Sequence, residues 1–257
     1  MQASHSQDTG IWASDKAYWH QYVAFYDQHF PTSANRIVEF GVLNGASIHW
    51  LLQRYPQAHI TGIDILPIQP QWPRDERVRY VQMDQGNRAA IHAFFSVHNG
   101  FDLIIEDGSH FIAHQHNCLL EALGSVRSGG LYVLEDAQTC LPTHPFYREE
   151  QQKQGSNAPL ATALFVLLAL EHLRKLDRKI DLVVAENIDG SGFIMPKEVI
   201  QLDAMIESIS IYQRTTLPNR CYSCSTTDYD YKALKCRCGI DTFSCGDSMA
   251  CLIRKRN

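Results

Sequence analysis

No stretch of this chain is apolar for long enough to cross a bilayer. The most apolar run, residues 158–170, covers about 13 positions, against the roughly 20 that a spanning helix requires, and reads as a buried helix. Basic residues are scarce as well: 23 Lys and Arg against 28 Asp and Glu give a formal charge of −5. The only basic block is Arg254-Lys255-Arg256, so the chain has no electrostatic footprint for nucleic acid or an anionic membrane. No charged leader followed by an apolar core opens the sequence, and the expectation is a cytoplasmic protein without a secretory signal. There is no internal repeat. Cysteine is nearly missing from the first 220 residues, where only Cys118 and Cys140 occur, whereas six of the eight cysteines fall between Cys221 and Cys251. That asymmetry marks a separate small element, and in a reducing compartment such clusters bind metal more often than they form disulfides.

What is present fits one large α/β domain with an appendage, at 257 residues and 45% hydrophobic. Tyr18, Tyr22, Phe25, Tyr26, His29 and Phe30 recur at three- and four-residue intervals. This is the stripe of one amphipathic helix over 15–30, ended by Pro31, that caps the sheet. Strands are then expected over 37–40, 60–65, 78–83, 101–105 and 131–134, alternating with helices over 46–54, 88–97 and 113–126. Such alternation argues a parallel, doubly wound sheet. Residues 142–159, rich in Gln, Glu, Pro and Gly, read as a mobile segment that can serve as a lid, before a helix over 160–176. Strands over 181–185 and 193–195 flank the hairpin signal Asp189-Gly190. Further strands are expected over 206–212 and 249–253.

Two acidic strand ends carry the chemistry. FDLIIEDGSH places Asp107 and His110 after one hydrophobic run, and LYVLED places Glu135 and Asp136 after another. Ligands of open α/β sheets sit outside the carboxyl ends of the strands, so adjacent strands bring three carboxylates and an imidazole into one cleft. Three hard oxygen donors suit Mg²⁺, whereas zinc prefers His or Cys. Adjacent acids also repel one another unless a cation lies between them. Set against this, Glu135 and Asp136 can act merely as helix N-terminal charges, and His110 as a capping or core histidine. His114 and His116 read as surface or substrate-rim residues.

The first strand runs into Glu39-Phe-Gly41-Val-Leu-Asn44-Gly45-Ala-Ser47, where glycines allow a tight turn and close approach to a ligand. The GxGxxG spacing is absent, since Leu43 occupies the middle glycine position, so a nicotinamide cofactor is disfavoured. Asp64 ends the second strand, where a carboxylate can take ribose hydroxyls, and Asp84 with Gln85 follows the third. Glu39, Asp64 and Asp84 line one rim, which suits a cationic nucleoside such as S-adenosylmethionine.

Taken together, SDKAYWHQYVAFYDQHF, VEFGVLNGASIHWL, ITGIDI, VQMDQGN, FDLIIEDGSH and GGLYVLEDAQT resemble class I S-adenosylmethionine-dependent methyltransferases, specifically the metal-dependent sugar O-methyltransferases of the macrocin and mycinamicin type. The resemblance covers about 15–136. It implies a Rossmann-like doubly wound sheet of about seven strands, S-adenosylmethionine and Mg²⁺ as cofactors, and a sugar or glycosylated natural product as the small-molecule substrate. It also implies a homo-oligomer. Metal ligands would fall on Asp107, Glu135 and Asp136, the general base on His110, and cofactor contacts on Glu39, Gly41, Gly45, Asp64 and Asp84, with Asn44, Ser47 and Gln85 beside them. The chain departs from the pattern at Ala46 and Glu106. It also departs in about 30 residues set between its last two strands, where Cys221, Cys224, Cys236 and Cys238 can form a structural Zn²⁺ site. Cys245 can replace a member, and Cys251 reads as core. The expected organisation is a helical cap over 1–35, a methyltransferase domain over 36–217, a Cys-rich insert over 218–247 and a returning strand over 248–257. Two rival readings remain: an accessory enzyme like those of cephalosporin hydroxylation, and a non-catalytic binding protein that uses the insert.

Overall fold

The computed structural model describes residues 14–155, 158–188, 193–243 and 248–257. Its centre is a seven-stranded sheet in the order β3-β2-β1-β4-β5-β9-β6. The strands are β1 (Arg36–Phe40), β2 (His59–Asp64), β3 (Val78–Gln82), β4 (Phe101–Glu106), β5 (Val126–Leu134), β6 (Ile206–Gln213) and β9 (Met249–Lys255). The first five run parallel, and β9 lies antiparallel to both β5 and β6. The sheet is therefore mixed at one edge, because β6 and β9 are consecutive sheet strands and return on one another. All six residues of β4 are buried, as expected of a strand covered on both faces. The register pairs Glu106 with Leu134, so Asp107 and Glu135 emerge side by side.

Helices α3 (Ala46–Arg54), α4 (Arg88–Val97) and α5 (Ile112–Ala122) fill the crossovers close to the expected limits. One face of the sheet carries Phe94, Leu119, Leu167, Val199 and Ile253 in a single core cluster. The other packs Tyr22, Tyr26 and Phe30 against Trp50 and Leu51.

Four expectations are corrected. The N-terminal stripe is two helices, α1 (Asp15–Tyr18) and α2 (Val23–His29), separated by a left-handed turn at Gln21, φ 59°. The Gln21 amide donates to the Leu217 carbonyl (2.9 Å) and accepts from Thr216 Oγ1 (2.8 Å), and these anchors override helix continuation. Residues 142–159 contain a helix, α6 (Pro145–Lys153), N-capped by His144 and held by buried Tyr147, whose hydroxyl accepts from the Leu160 amide. The next helix, α7, spans Ala163–Lys175. The expected strand over 181–185 is helical: α8 (Leu182–Ile188) starts where Asp181 Oδ1 accepts the Val184 amide (2.9 Å), and its Ala185 and Ile188 join the core cluster that holds Val199 and Leu202 of α9 (Pro196–Met205). Packing thus outweighs the β-branched pair Val183-Val184. Residues 193–195 lead into α9, and Asp189-Gly190 lies outside the described residues. No helix among the described residues is long and apolar enough to cross a membrane.

Between β6 and β9 the chain forms a two-stranded sheet of its own, β7 (Tyr229–Asp230) with β8 (Lys235–Cys236).

Candidate active site

The carboxyl ends of β1, β2, β4 and β5 open into a cleft of about 560 Å³ lined by Gly41, Asp64, Asp84, Gln85, Asp107, His110, Phe111, His114 and Asp136, among others. That size suits a small-molecule site. A smaller hollow, about 260 Å³, sits near the amino ends of β2 and β3 between Arg36, His59, Arg77 and Arg79, the end of a parallel sheet where ligands are not expected.

At the cleft floor, Asp107, His110 and Asp136 each offer a ligand atom within 4.8 Å of the others. His110 Nε2 is 3.5 Å from Asp136 Oδ2 and 3.9 Å from Asp107 Oδ1. Leu43, His110 and Asp136 adopt φ near +50° to +58°, a conformation that non-glycine residues hold at a cost and that concentrates at functional sites. Glu135 joins Asp107 through a shared cation. Its carboxylate accepts from Lys16 Nζ at 2.6 Å, and the same ammonium hydrogen-bonds Asp107 and lies 3.6 Å from Glu39. Lys16 is almost fully buried, brought in by α1, whose N-cap is Ser14.

Asp136 is gripped by the N-terminal segment as well: Tyr22 donates to Oδ1 at 2.7 Å, and His20 Nδ1 lies 3.4 Å away. No local motif marks Lys16, His20 or Tyr22 as site residues. A signal was available, because Lys16 and His20 interrupt an aromatic stripe, and polar groups on a buried helix face need partners.

The electrostatics follow from burial. Burial pushes Glu135 well above the carboxylate range and Asp107 above its usual value despite Lys16, and raises Glu39 to about 7. Burial also opposes charge on Asp136, but His20, His110 and the Tyr22 hydroxyl outweigh it and hold Asp136 well below its usual value. Burial disfavours an imidazolium at His110, yet Asp136 and Asp107 prevail and raise its pKa. Burial likewise opposes the Lys16 charge, and the surrounding acids more than restore it. Three carboxyl groups, Glu39, Asp107 and Glu135, thus gather around one ammonium, and Asp136 adds a fourth beside His110. An excess of hard oxygen donors in a buried site suits a divalent cation.

The remaining predicted residues separate into two sets. Asp64 and Asp84 line the cleft. Asp64 Oδ2 accepts the Val42 amide (2.8 Å), and its Oδ1 accepts that of Leu66 (2.9 Å), so it also braces the glycine turn. Gly41, at φ 84°, passes so close to the acidic loop that a Cβ there would lie 2.0 Å from the Asp107 carbonyl oxygen. Gln85 lines the cleft but turns its amide inward, donating to Glu106 (2.7 Å) and accepting from the Ser109 amide (2.8 Å). Glu39 is buried behind the turn, accepting from Ser47 Oγ at 2.5 Å. Asn44 caps α3 through the Ala46 amide, and Gly45 takes φ 81° against Pro73. His114 stands at the rim, bonded to Ser109 Oγ, whereas His116 is buried and is not a rim residue.

Residues 38–137 match a family model described as a methyltransferase domain. The chain is 30% identical over 138 residues to 8-demethyl-8-(2-methoxy-alpha-L-rhamnosyl)-tetracenomycin-C 3'-O-methyltransferase of Streptomyces olivaceus, covering 49% of this chain and 35% of that protein. It is 29% identical over 164 residues to mycinamicin VI 2''-O-methyltransferase of Micromonospora griseorubida, covering 60% and 40%. The chain thus spans well under half the length of these curated relatives. Among solved structures it is similar in fold to the MycE methyltransferase of the mycinamycin biosynthetic pathway in complex with Mg and SAH, with a TM-score of 0.58 and 21% identity over 93% of this chain and 50% of that one. Residues 38–137 therefore match a methyltransferase domain, and over part of its length the chain is similar to sugar O-methyltransferases of natural-product pathways.

Proposed function

We propose that this chain transfers a methyl group from S-adenosylmethionine to a hydroxyl of a sugar or glycosylated natural product, with Mg²⁺ bound and His110 as general base. The observation that carries this reading is the convergence of His110 on Asp107 and Asp136 at the floor of a cleft whose other wall is the Gly41 turn with Asp64 and Asp84. Asp107 and Asp136, with Glu135 beside them, would hold the cation. When bound, the two groups supply an electrophilic methyl and the positive charge that makes a substrate hydroxyl more acidic.

The chain's own residues do the rest. Asp136, kept ionised by its neighbours, offers a permanent anion, and Lys16 balances Asp107, Glu135 and Glu39. His110 Nε2 faces both cleft carboxylates and accepts the hydroxyl proton, after which Asp136 and Asp107 stabilise the imidazolium. A positioned base of this kind contributes typically ~10²–10⁴-fold. Gly41 lets backbone approach the donor, and Asp64 presents carboxylate lone pairs to a ribose. The test is incubation with labelled S-adenosylmethionine and a panel of free and glycoside-linked sugars, with and without Mg²⁺. Label transfer that depends on Mg²⁺ is the expected result, and none with any acceptor would reject the assignment.

A further inference from the structure

The four sulfur atoms of Cys221, Cys224, Cys236 and Cys238 lie within 4.8 Å of one another, far from any role in methyl transfer. The nearest pairs, Cys224 with Cys236 and Cys221 with Cys238, are 3.3 and 3.7 Å apart. Disulfide sulfurs sit at roughly 2.05 Å, whereas the edge of a tetrahedron with ~2.3 Å Zn–S bonds is roughly 3.8 Å. Each cysteine pair is closed by a turn whose residue after the second cysteine is left-handed. Ser225, directly after Cys224, has φ 57° and returns its amide to the Cys221 carbonyl (2.9 Å). Gly239, directly after Cys238, has φ 92° and returns its amide to the Cys236 carbonyl (2.8 Å). Two turns, one closed over four residues and one over three, thus present two thiols each to one point.

The loop has little else to order it. Among the described residues its core cluster holds only Cys221, Tyr229 and Cys236, with Leu217 and Ile240 packed against them, and its sheet pairs two strands of two residues. Elements this small ordinarily need a metal or disulfides. Cys245 lies outside the described residues.

What the loop grips is the segment that feeds the acid cluster. The Asn219 amide donates to the Tyr18 carbonyl (2.8 Å), the Arg220 guanidinium lies 4.0 Å over the Tyr18 ring, and Tyr222 meets Trp19 edge-on at 4.7 Å. Lys16 sits two residues before this contact and Tyr22 three after it.

We propose that Cys221, Cys224, Cys236 and Cys238 bind one zinc ion as four thiolates, and that this ion holds the loop as a clamp seating residues 16–22 against the acids of the cleft. Loading releases the thiol protons and involves no change of oxidation state. The site is independent of the Mg²⁺ reading, since none of its ligands touches the cleft.

Elemental analysis of the purified full chain after desalting tests it. About one zinc per chain is expected, retained in Asp136→Asn and lost in the double variant Cys224→Ser, Cys238→Ser, which changes the two exposed ligands. Cobalt added to zinc-stripped wild-type protein should give the intense charge-transfer absorption of tetrahedral thiolate coordination. Zinc removal should speed amide exchange in residues 16–22 while leaving β4 protected. Four freely titratable thiols with neither zinc nor a cobalt–thiolate band would overturn the site. Full zinc loading with unchanged exchange in residues 16–22 on its removal would overturn the clamp.

Discussion

Replacing Lys16 with Met keeps most of the aliphatic stem and deletes the charge. The ammonium it removes lies against Asp107, 2.6 Å from Glu135 and 3.6 Å from Glu39, with about 2% of the side chain exposed. Removing one partner of a buried ion pair typically costs about 3–5 kcal/mol, and the wild-type protein should unfold at correspondingly higher urea than Lys16→Met at pH 8. The pH dependence has a definite sign. The Lys16 pKa is raised, so its contribution is fully present at neutral pH and fades only as pH climbs through that elevated value. In the variant the carboxyl groups lose their counter-charge, and their folded pKa values, already raised in Glu39, Asp107 and Glu135, rise further. Between the ordinary carboxylate range and those raised values the folded variant binds more protons than the unfolded chain, so its stability falls as pH rises. The deficit should therefore be largest at pH 8 and shrink toward pH 5, and millimolar Mg²⁺ should recover part of it. A loss below about 1 kcal/mol, of surface-pair size, or one that stays flat with pH, would refute the view that Lys16 is the counter-ion of this cluster.

Other outcomes follow from the same geometry. His110→Ala should retain S-adenosylmethionine binding by calorimetry while turnover falls by ~10²–10⁴; lost donor affinity would move His110 out of the base role. In Mg²⁺-free protein the His110 ring should titrate above the ordinary imidazole value, because Asp136 and Asp107 favour its charge against the opposing effect of burial; Mg²⁺ should lower that midpoint, as read by NMR. Gly41→Ala combines a positive φ with a Cβ 2.0 Å from the Asp107 carbonyl oxygen, so melting temperature and methyl transfer should both drop, by more than the ~1 kcal/mol typical where only the backbone conformation is wrong. Chelation with EDTA should abolish methyl transfer, and Mg²⁺ should restore it.

The parts of the fold legible in the sequence are those where one signal dominates. Continuous apolar runs place β4 and β5, and the acids directly after them land on adjacent strand ends because the parallel register leaves little freedom. The glycine turn is legible for the same reason, since Gly41 and Gly45 both take left-handed φ. Competing signals fail elsewhere. At α8 the apolar Leu182-Val183-Val184 suggests a strand, while what decides the matter is the packing of Ala185 and Ile188 into the core, helped by the Asp181 cap. At the N-terminal segment the stripe is real, but contacts to Leu217 and Thr216, almost 200 positions away, break the helix. Lys16 is not legible, because its partners come from three different strands and no local pattern encodes such a meeting. Glu135 and Asp107 do meet at adjacent strand ends, but through the Lys16 ammonium that bonds both carboxylates.

The near-contact of Gly41 with the Asp107 carbonyl joins the donor loop and the acidic loop into one rigid floor. At the mouth of the cleft Phe111 stacks on Phe146 of α6 and meets the His114 ring edge-on, while His114 ties back to the acidic loop through Ser109 Oγ. Substitution at Phe111 or Phe146 therefore reshapes the entrance while leaving the crossing of the two loops in place.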